Sequence, residues 1–125
     1  MRAVDTNVLV RLIVRDDERQ AAAEAFVAPG AWVPHVALVE CAWVLHAVYD
    51  RTSSEIANAI ERLLDHRELT LQDPDTVAAA VDAFRRRPAV GFSDCLLLEI
   101  ARKAGHLPLG TFDRDLGRLD GAQRL

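Results

Sequence analysis

The chain has little of what several protein classes require. Its 125 residues include two cysteines, Cys41 and Cys95, both within apolar helical stretches. Two such cysteines argue against a disulfide framework and for a reducing cytoplasm; small apolar filler is their simplest role. No apolar run approaches the ~18 residues of a membrane span, and no signal-peptide pattern opens the chain, so the expected location is cytoplasmic, without a membrane partner. No Walker A or dinucleotide glycine loop is present, which removes the nucleotide-cofactor enzymes. The four histidines, His35, His46, His66 and His106, show no ligand spacing and read as structural or surface residues. Positive charge is also short. A net charge of −4 and a pI near 5.5 do not favour nucleic acid, unless something else supplies cations. Internal repeats, low-complexity segments and linkers are missing too.

What is present is an ordinary globular interior. Hydrophobic residues make up 50% of the chain and mean hydropathy is +0.04, enough for one domain over residues 1–125. Short apolar runs alternate with longer helical patterns. Residues 2–5 read as a strand, followed by a helix to Val14 that breaks at Arg15-Asp16-Asp17. A helix over 17–28, capped by Asp16 or Asp17, has Ala21, Ala22, Ala25 and Phe26 as its apolar face and ends at Pro29-Gly30. Ala31 to Pro34 is a strand. The helix from His35 to Tyr49 is apolar nearly all round, which predicts burial. Thr52 or Ser53 starts a helix to Asp65, with Ile56, Ile60, Leu63 and Leu64 as its stripe. Residues 69–71 form a strand, and Asp73-Pro74 caps a helix to Arg87. A loop over 88–92 leads to a helix capped by Ser93 and closed by Gly105. A strand over 107–112, a short helix near 113–119 and a short edge strand over 122–125 complete the pattern. Strands alternating with helices imply α/β architecture, a parallel sheet with helices on both faces and right-handed crossovers.

Four acids fall where such a fold concentrates chemistry. Asp5 ends the first strand, at the sheet edge where open parallel sheets bind ligands. Capping of the next helix competes with that reading. Glu40 is the one acidic side chain between His35 and Tyr49, on a stripe with Val36, Val39, Trp43, Val44 and Ala47. Buried there, it needs a partner, a proton or a metal; an arginine salt bridge is the alternative. Asp94 shares the spacing of Leu97, Leu98 and Ala101 and is expected to face inward, although a helix N-terminus alone favours an acid. Glu99 on the same helix is expected to be solvated. Asp113 ends the strand over 107–112 as Asp5 ends the first. Asp115 either shares its task or is a solvated helix-start acid, and Thr111 alternates with Asp113. Carboxylates that converge without a cation repel one another. An all-oxygen set suits Mg²⁺ or Mn²⁺ and not zinc.

At these positions the chain resembles the PIN-domain family, and most closely the VapC-type toxins of VapBC toxin–antitoxin pairs. The matching stretches are Val4-Asp5-Thr6-Asn7-Val8-Leu9, Leu38-Val39-Glu40, Phe92-Ser93-Asp94-Cys95-Leu96-Leu97 and Thr111-Phe112-Asp113. Together they span essentially the whole chain. Each is weak alone, and their order is what makes them specific. Cys95 and Leu97 stand where small residues are frequent in the family, a departure that touches packing and not the acids. The resemblance implies a PIN-like three-layer α/β/α fold with a parallel sheet of about five short strands. It implies an Mg²⁺- or Mn²⁺-dependent endoribonuclease, acting as the toxin of a type II pair, with RNA as substrate, a cognate antitoxin as partner and a homodimer as assembly. Asp5, Glu40, Asp94 and Asp113 would be the catalytic metal ligands, with Thr6, Asn7, Thr111 and Asp115 holding carboxylates or water behind them. Two divalent ions would formally cancel the charge of −4. Arg11, Arg15, Arg85, Arg86, Arg87 and Arg114 would then steer the RNA backbone. For the arginine triplet, a solvated helix end is the competing reading.

Other classes account for less. Phosphoacceptor folds also put acids at strand ends but use a nearby lysine, and the single lysine, Lys103, lies late on a helix. The second acid of the related phosphatases is replaced by Asn7. A non-catalytic RNA- or partner-binding module remains an alternative, with a groove between the helices over 17–28 and 52–65. A solitary RNA-processing nuclease is another.

Overall fold

A computed structural model of the chain describes residues 1–15 and 18–125. The cap expected from Asp16 or Asp17 lies outside the described residues. The fold contains five short strands and six α-helices among the described residues, in the alternating order expected of an α/β protein. It divides into two compact units, Met1–Pro74 and Asp75–Leu125.

The first unit carries a three-stranded parallel sheet. β1 (Arg2–Ala3) pairs with β2 (Ala31–Val33), which pairs with β3 (Leu69–Leu71). Val4 extends the first pairing through its N–H to the Trp32 carbonyl, 3.1 Å. α1 (Thr6–Ile13) leaves at once and packs on α2 (Arg19–Val27) and on α3 (His35–Ala47), which meets α4 (Ser53–Leu64). Leu9, Val27, Val33, Leu38, Leu45 and Ile60 are its large, fully buried side chains. α4 begins as its sequence predicts. The Thr52 hydroxyl accepts the Glu55 N–H at 3.1 Å, and the Glu55 carboxylate accepts the Thr52 N–H at 2.9 Å. That reciprocal pair satisfies two donors a helix start otherwise leaves open. His35 is structural, as expected: its N–H donates to Gln72 Oε1 and its Nε2 meets the Gln72 carbonyl at 2.8 Å, tying the start of α3 to the end of β3.

Two helix faces differ from the sequence expectation. In α2 the buried residues are Ala23 and Val27, whereas Ala21, Ala22 and Ala25 are exposed. An alanine-rich helix offers several stripes of similar apolarity, and the β-branched Val27 decides which is buried. Phe26 is half-buried under the Arg2 guanidinium, 4.0 Å from its ring centre. In α3 the buried face is Ala37, Leu38, Cys41, Ala42 and Leu45. Val36, Trp43 and Ala47 are exposed instead. A helix apolar all round gives no periodic signal to choose between faces, and the small side chains allow the closer packing.

The second unit holds α5 (Pro74–Arg86, its first residue just before the boundary), a 3₁₀ turn over Pro88–Val90 and α6 (Phe92–Ala104). β4 (Leu109–Thr111) and β5 (Ala122–Arg124) form a two-stranded parallel sheet. Val77, Val81, Cys95 and Leu96 are fully buried, and Phe84 meets Phe92 edge-on at 6.2 Å. α6 starts two residues earlier than a Ser93 cap requires. Gly91, at φ +86° and ψ 150°, occupies the cap position, and Ser93 lies inside the first turn. That backbone region is nearly closed to residues with a Cβ. Gly105 ends α6 in the left-handed conformation, as expected.

Candidate active site

In the first unit β1 delivers Asp5 to the start of α1. Its Oδ1 accepts the Thr6 N–H at 2.7 Å, so the helix-cap role is real. The bond also fixes the plane of an exposed carboxylate. The neighbouring Thr6 hydroxyl donates to Glu40 Oε2 at 2.9 Å, linking α1 to α3 across 34 residues. Thr6 thus contacts one carboxylate through its N–H and another through its hydroxyl. Glu40 is exposed and not on an inward face, because it lies on the side of α3 opposite Leu38 and Leu45. An exposed carboxylate needs no buried counter-ion, which removes the reason for the arginine pairing considered from sequence. Asn7 is exposed on the first turn of α1.

In the second unit Asp94 occupies the first turn of α6, half-buried. Its pKa is raised, first by partial burial and then by the nearby charge of Asp113. Asp113 follows β4, with its N–H donating to the Thr111 hydroxyl at 3.0 Å. Asp113 Oδ1 accepts the Leu116 N–H at 2.8 Å and so opens the 3₁₀ turn over Leu116–Arg118. Thr111 thus orients the Asp113 backbone. Asp115, half-buried at the cap position of that turn, makes no side-chain cap bond. Leu97, expected inward beside Asp94, is 48% exposed, while Leu98 is buried. Glu99 is not solvated: its side chain is 17% exposed and accepts from Arg102 Nε at 3.0 Å. Arg102 donates onward to the Asp120 carbonyl at 2.6 Å, joining α6 to the segment before β5. The i,i+3 spacing of Glu99 and Arg102 was the available signal.

The acids therefore come in two pairs, one per unit. Asp5 and Glu40 are joined through the N–H and the hydroxyl of Thr6, and Asp94 and Asp113 sense each other electrostatically. Among the described residues no three His, Cys, Asp or Glu side chains form a group able to hold a metal ion. The donor chemistry of each pair is wholly carboxylate oxygen, the set that hard divalent cations prefer. The mutual charge of Asp94 and Asp113 is what such a cation would offset. Both cysteines are inert neighbours of these acids. Burial pushes the Cys41 thiol up to about 12. Burial, then Asp94 and Glu99, push Cys95 up to about 11 against the opposing charge of Arg86.

The family model of the PIN domain matches residues 2–122. The chain belongs to the PIN domain family. Among solved structures it is similar to VapC20 of Mycobacterium tuberculosis, a toxin that cleaves the sarcin–ricin loop. That similarity is 17% in sequence over 98% of each chain, with a TM-score of 0.44. No curated protein matches significantly. The PIN fold is the α/β arrangement its sequence predicted, with parallel pairing in both sheets. No helix of the PIN chain, among the described residues, is long and apolar enough to cross a membrane.

Proposed function

We propose that this PIN protein is an Mg²⁺- or Mn²⁺-dependent endoribonuclease and the toxin of a type II toxin–antitoxin pair. Asp5, Glu40, Asp94 and Asp113 are its catalytic metal ligands, and residues 1–125 count as one PIN domain. The observation that carries the reading is the family match through residues 2–122, which includes all four acids. A bound divalent ion supplies a more acidic water and offsets charge on the scissile phosphate. The chain's own groups prepare the carboxylates. The Thr6 N–H and hydroxyl hold Asp5 and Glu40, and the Leu116 N–H holds Asp113, so each arrives oriented. Asn7, Thr111 and Asp115 complete the surroundings. With water as nucleophile, the products carry 5′-phosphate and 3′-hydroxyl ends, without use of the RNA 2′-hydroxyl.

The cognate antitoxin is a small protein, the toxin itself a homodimer, and both work in the cytoplasm. A cleft of about 480 Å³ in the first unit suits the antitoxin. Ile13, Leu45 and Ala59 supply apolar lining, and Arg51 and Arg62 outnumber the one acid, Glu55, beside Asn58, a match for an amphipathic segment that carries acids. The direct test is cleavage of RNA by purified protein, with sequencing of the ends. Expected are 5′-phosphate ends that vanish with EDTA, return with Mn²⁺, and are absent for Asp5→Asn. Undiminished cleavage by the metal-stripped protein overturns the reading. A wild-type protein that binds RNA but never cleaves it would favour the binding-module alternative.

A further inference from the structure

The aromatic side chains are unevenly placed. The chain has two tryptophans, one tyrosine and four phenylalanines. Phe84 and Phe92 are buried, and Phe26 and Tyr49 are half-buried. The two most open rings are Trp43, 65% exposed, and Phe112, 81% exposed. Each adjoins a candidate acid in its own unit. Trp43 stands three residues after Glu40 on α3, and Phe112 immediately precedes Asp113. Residues i and i+3 on a helix are surface neighbours, about 5–6 Å apart at Cβ. The indole and the Glu40 carboxylate therefore share one exposed face, with Val36 and Ala47 along the same stripe.

We propose that Trp43 is a base-stacking platform, taking an unpaired nucleobase of the RNA beside the phosphate that Glu40 serves. The inference rests on the nuclease reading above. An exposed indole has a flat apolar surface that any base can cover, and such stacking is how single strands are held without sequence preference. The neighbouring carboxylate is what selects RNA over protein as the occupant. Glu40 sits within the stripe, fixed by Thr6. A protein surface that brings no cation would take that carboxylate out of water with only the Thr6 hydroxyl against it, which is costly. A nucleic acid strand with its counter-cations covers the indole and brings positive charge to the carboxylate together.

The test uses the full protein with Ca²⁺ in place of Mg²⁺ and an unstructured oligoribonucleotide of about 12 nucleotides, its integrity checked on a gel. In a Trp32→Phe background, Trp43 is the single indole reporter. The oligonucleotide is expected to quench its fluorescence saturably. Trp43→Ala should weaken binding about tenfold and Trp43→Phe should restore most of it. In Mg²⁺ the Ala variant should show a raised KM, with the larger effect there and not on kcat. Wild-type binding and cleavage, with equally tight binding by Trp43→Ala, overturns this inference alone. So does a Trp43→Ala protein whose sedimentation mass falls from dimer to monomer while its RNA affinity holds, which would place Trp43 between copies. A wild-type protein that neither binds nor cleaves RNA overturns the nuclease reading, and this one with it.

Discussion

Thr6 is the residue on which the first acid pair turns. Its backbone N–H and its hydroxyl reach two different carboxylates, Asp5 at 2.7 Å and Glu40 at 2.9 Å. Thr6→Ala keeps the first bond and removes the second, so helix α1 should survive while Glu40 is released. Activity should fall about 10- to 100-fold, as for other groups that orient metal ligands, and Thr6→Ser should restore it. Circular dichroism alongside the cleavage assay separates this from unfolding. The motif Asp5-Thr6-Asn7 was legible as a strand end with a helix leaving it. Which carboxylate the hydroxyl would meet was not, because Glu40 lies 34 residues away and only folding decides that distance. Cys41 and Cys95, each 1% exposed, make a second residue-scale prediction. A thiol reagent such as DTNB should leave both unreacted in the native protein and titrate two thiols in denaturant, and fast native labelling would contradict their burial.

At the scale of elements, α4 is the helix most plainly written in the sequence. Thr52→Ala should cost about 1 kcal/mol in urea unfolding at neutral pH. Hydrogen bonds from the Thr52 N–H and hydroxyl region hold the Glu55 pKa below its ordinary value of 4.5. A depressed carboxylate stabilises the fold above its unfolded pKa and stops doing so as pH falls through the folded one. The gap between wild type and Glu55→Gln should therefore be open at neutral pH and close below pH 4.5, the unshifted value. A gap that widens on acidification would contradict the capping box. α6 was harder to read, since Ser93 looks like a cap while the chain uses Gly91 at φ +86°. Gly91→Ala should cost about 1–3 kcal/mol and displace the first turn that carries Asp94, measurable as loss of both stability and cleavage. α3 was legible in extent and not in facing. Its residues are apolar on every side, so sequence gave no reason to put Trp43 and Glu40 outward and Cys41 inward.

At the scale of the whole molecule, the four candidate acids account for part of the charge of −4. The alternation of strands and helices along the chain was readable because apolar periodicity is local. The hydrogen-bonded partition into β1–β2–β3 and β4–β5 and the division at Pro74 depend on contacts that no single stretch encodes. In metal-free protein Asp94→Asn should raise thermal stability slightly, by less than about 1 kcal/mol, since it removes a partly desolvated charge beside Asp113. Added Mn²⁺ should reverse the order, stabilising wild type and not the variant. The measurement that reaches the central claim most directly is Mn²⁺ binding by electron paramagnetic resonance, on EDTA-dialysed wild type, Asp5→Asn and Asp94→Asn. The proposal that Asp5 and Asp94 are both metal ligands predicts that either substitution weakens Mn²⁺ binding at least tenfold while the protein stays folded. Wild-type affinity in either folded variant would contradict it.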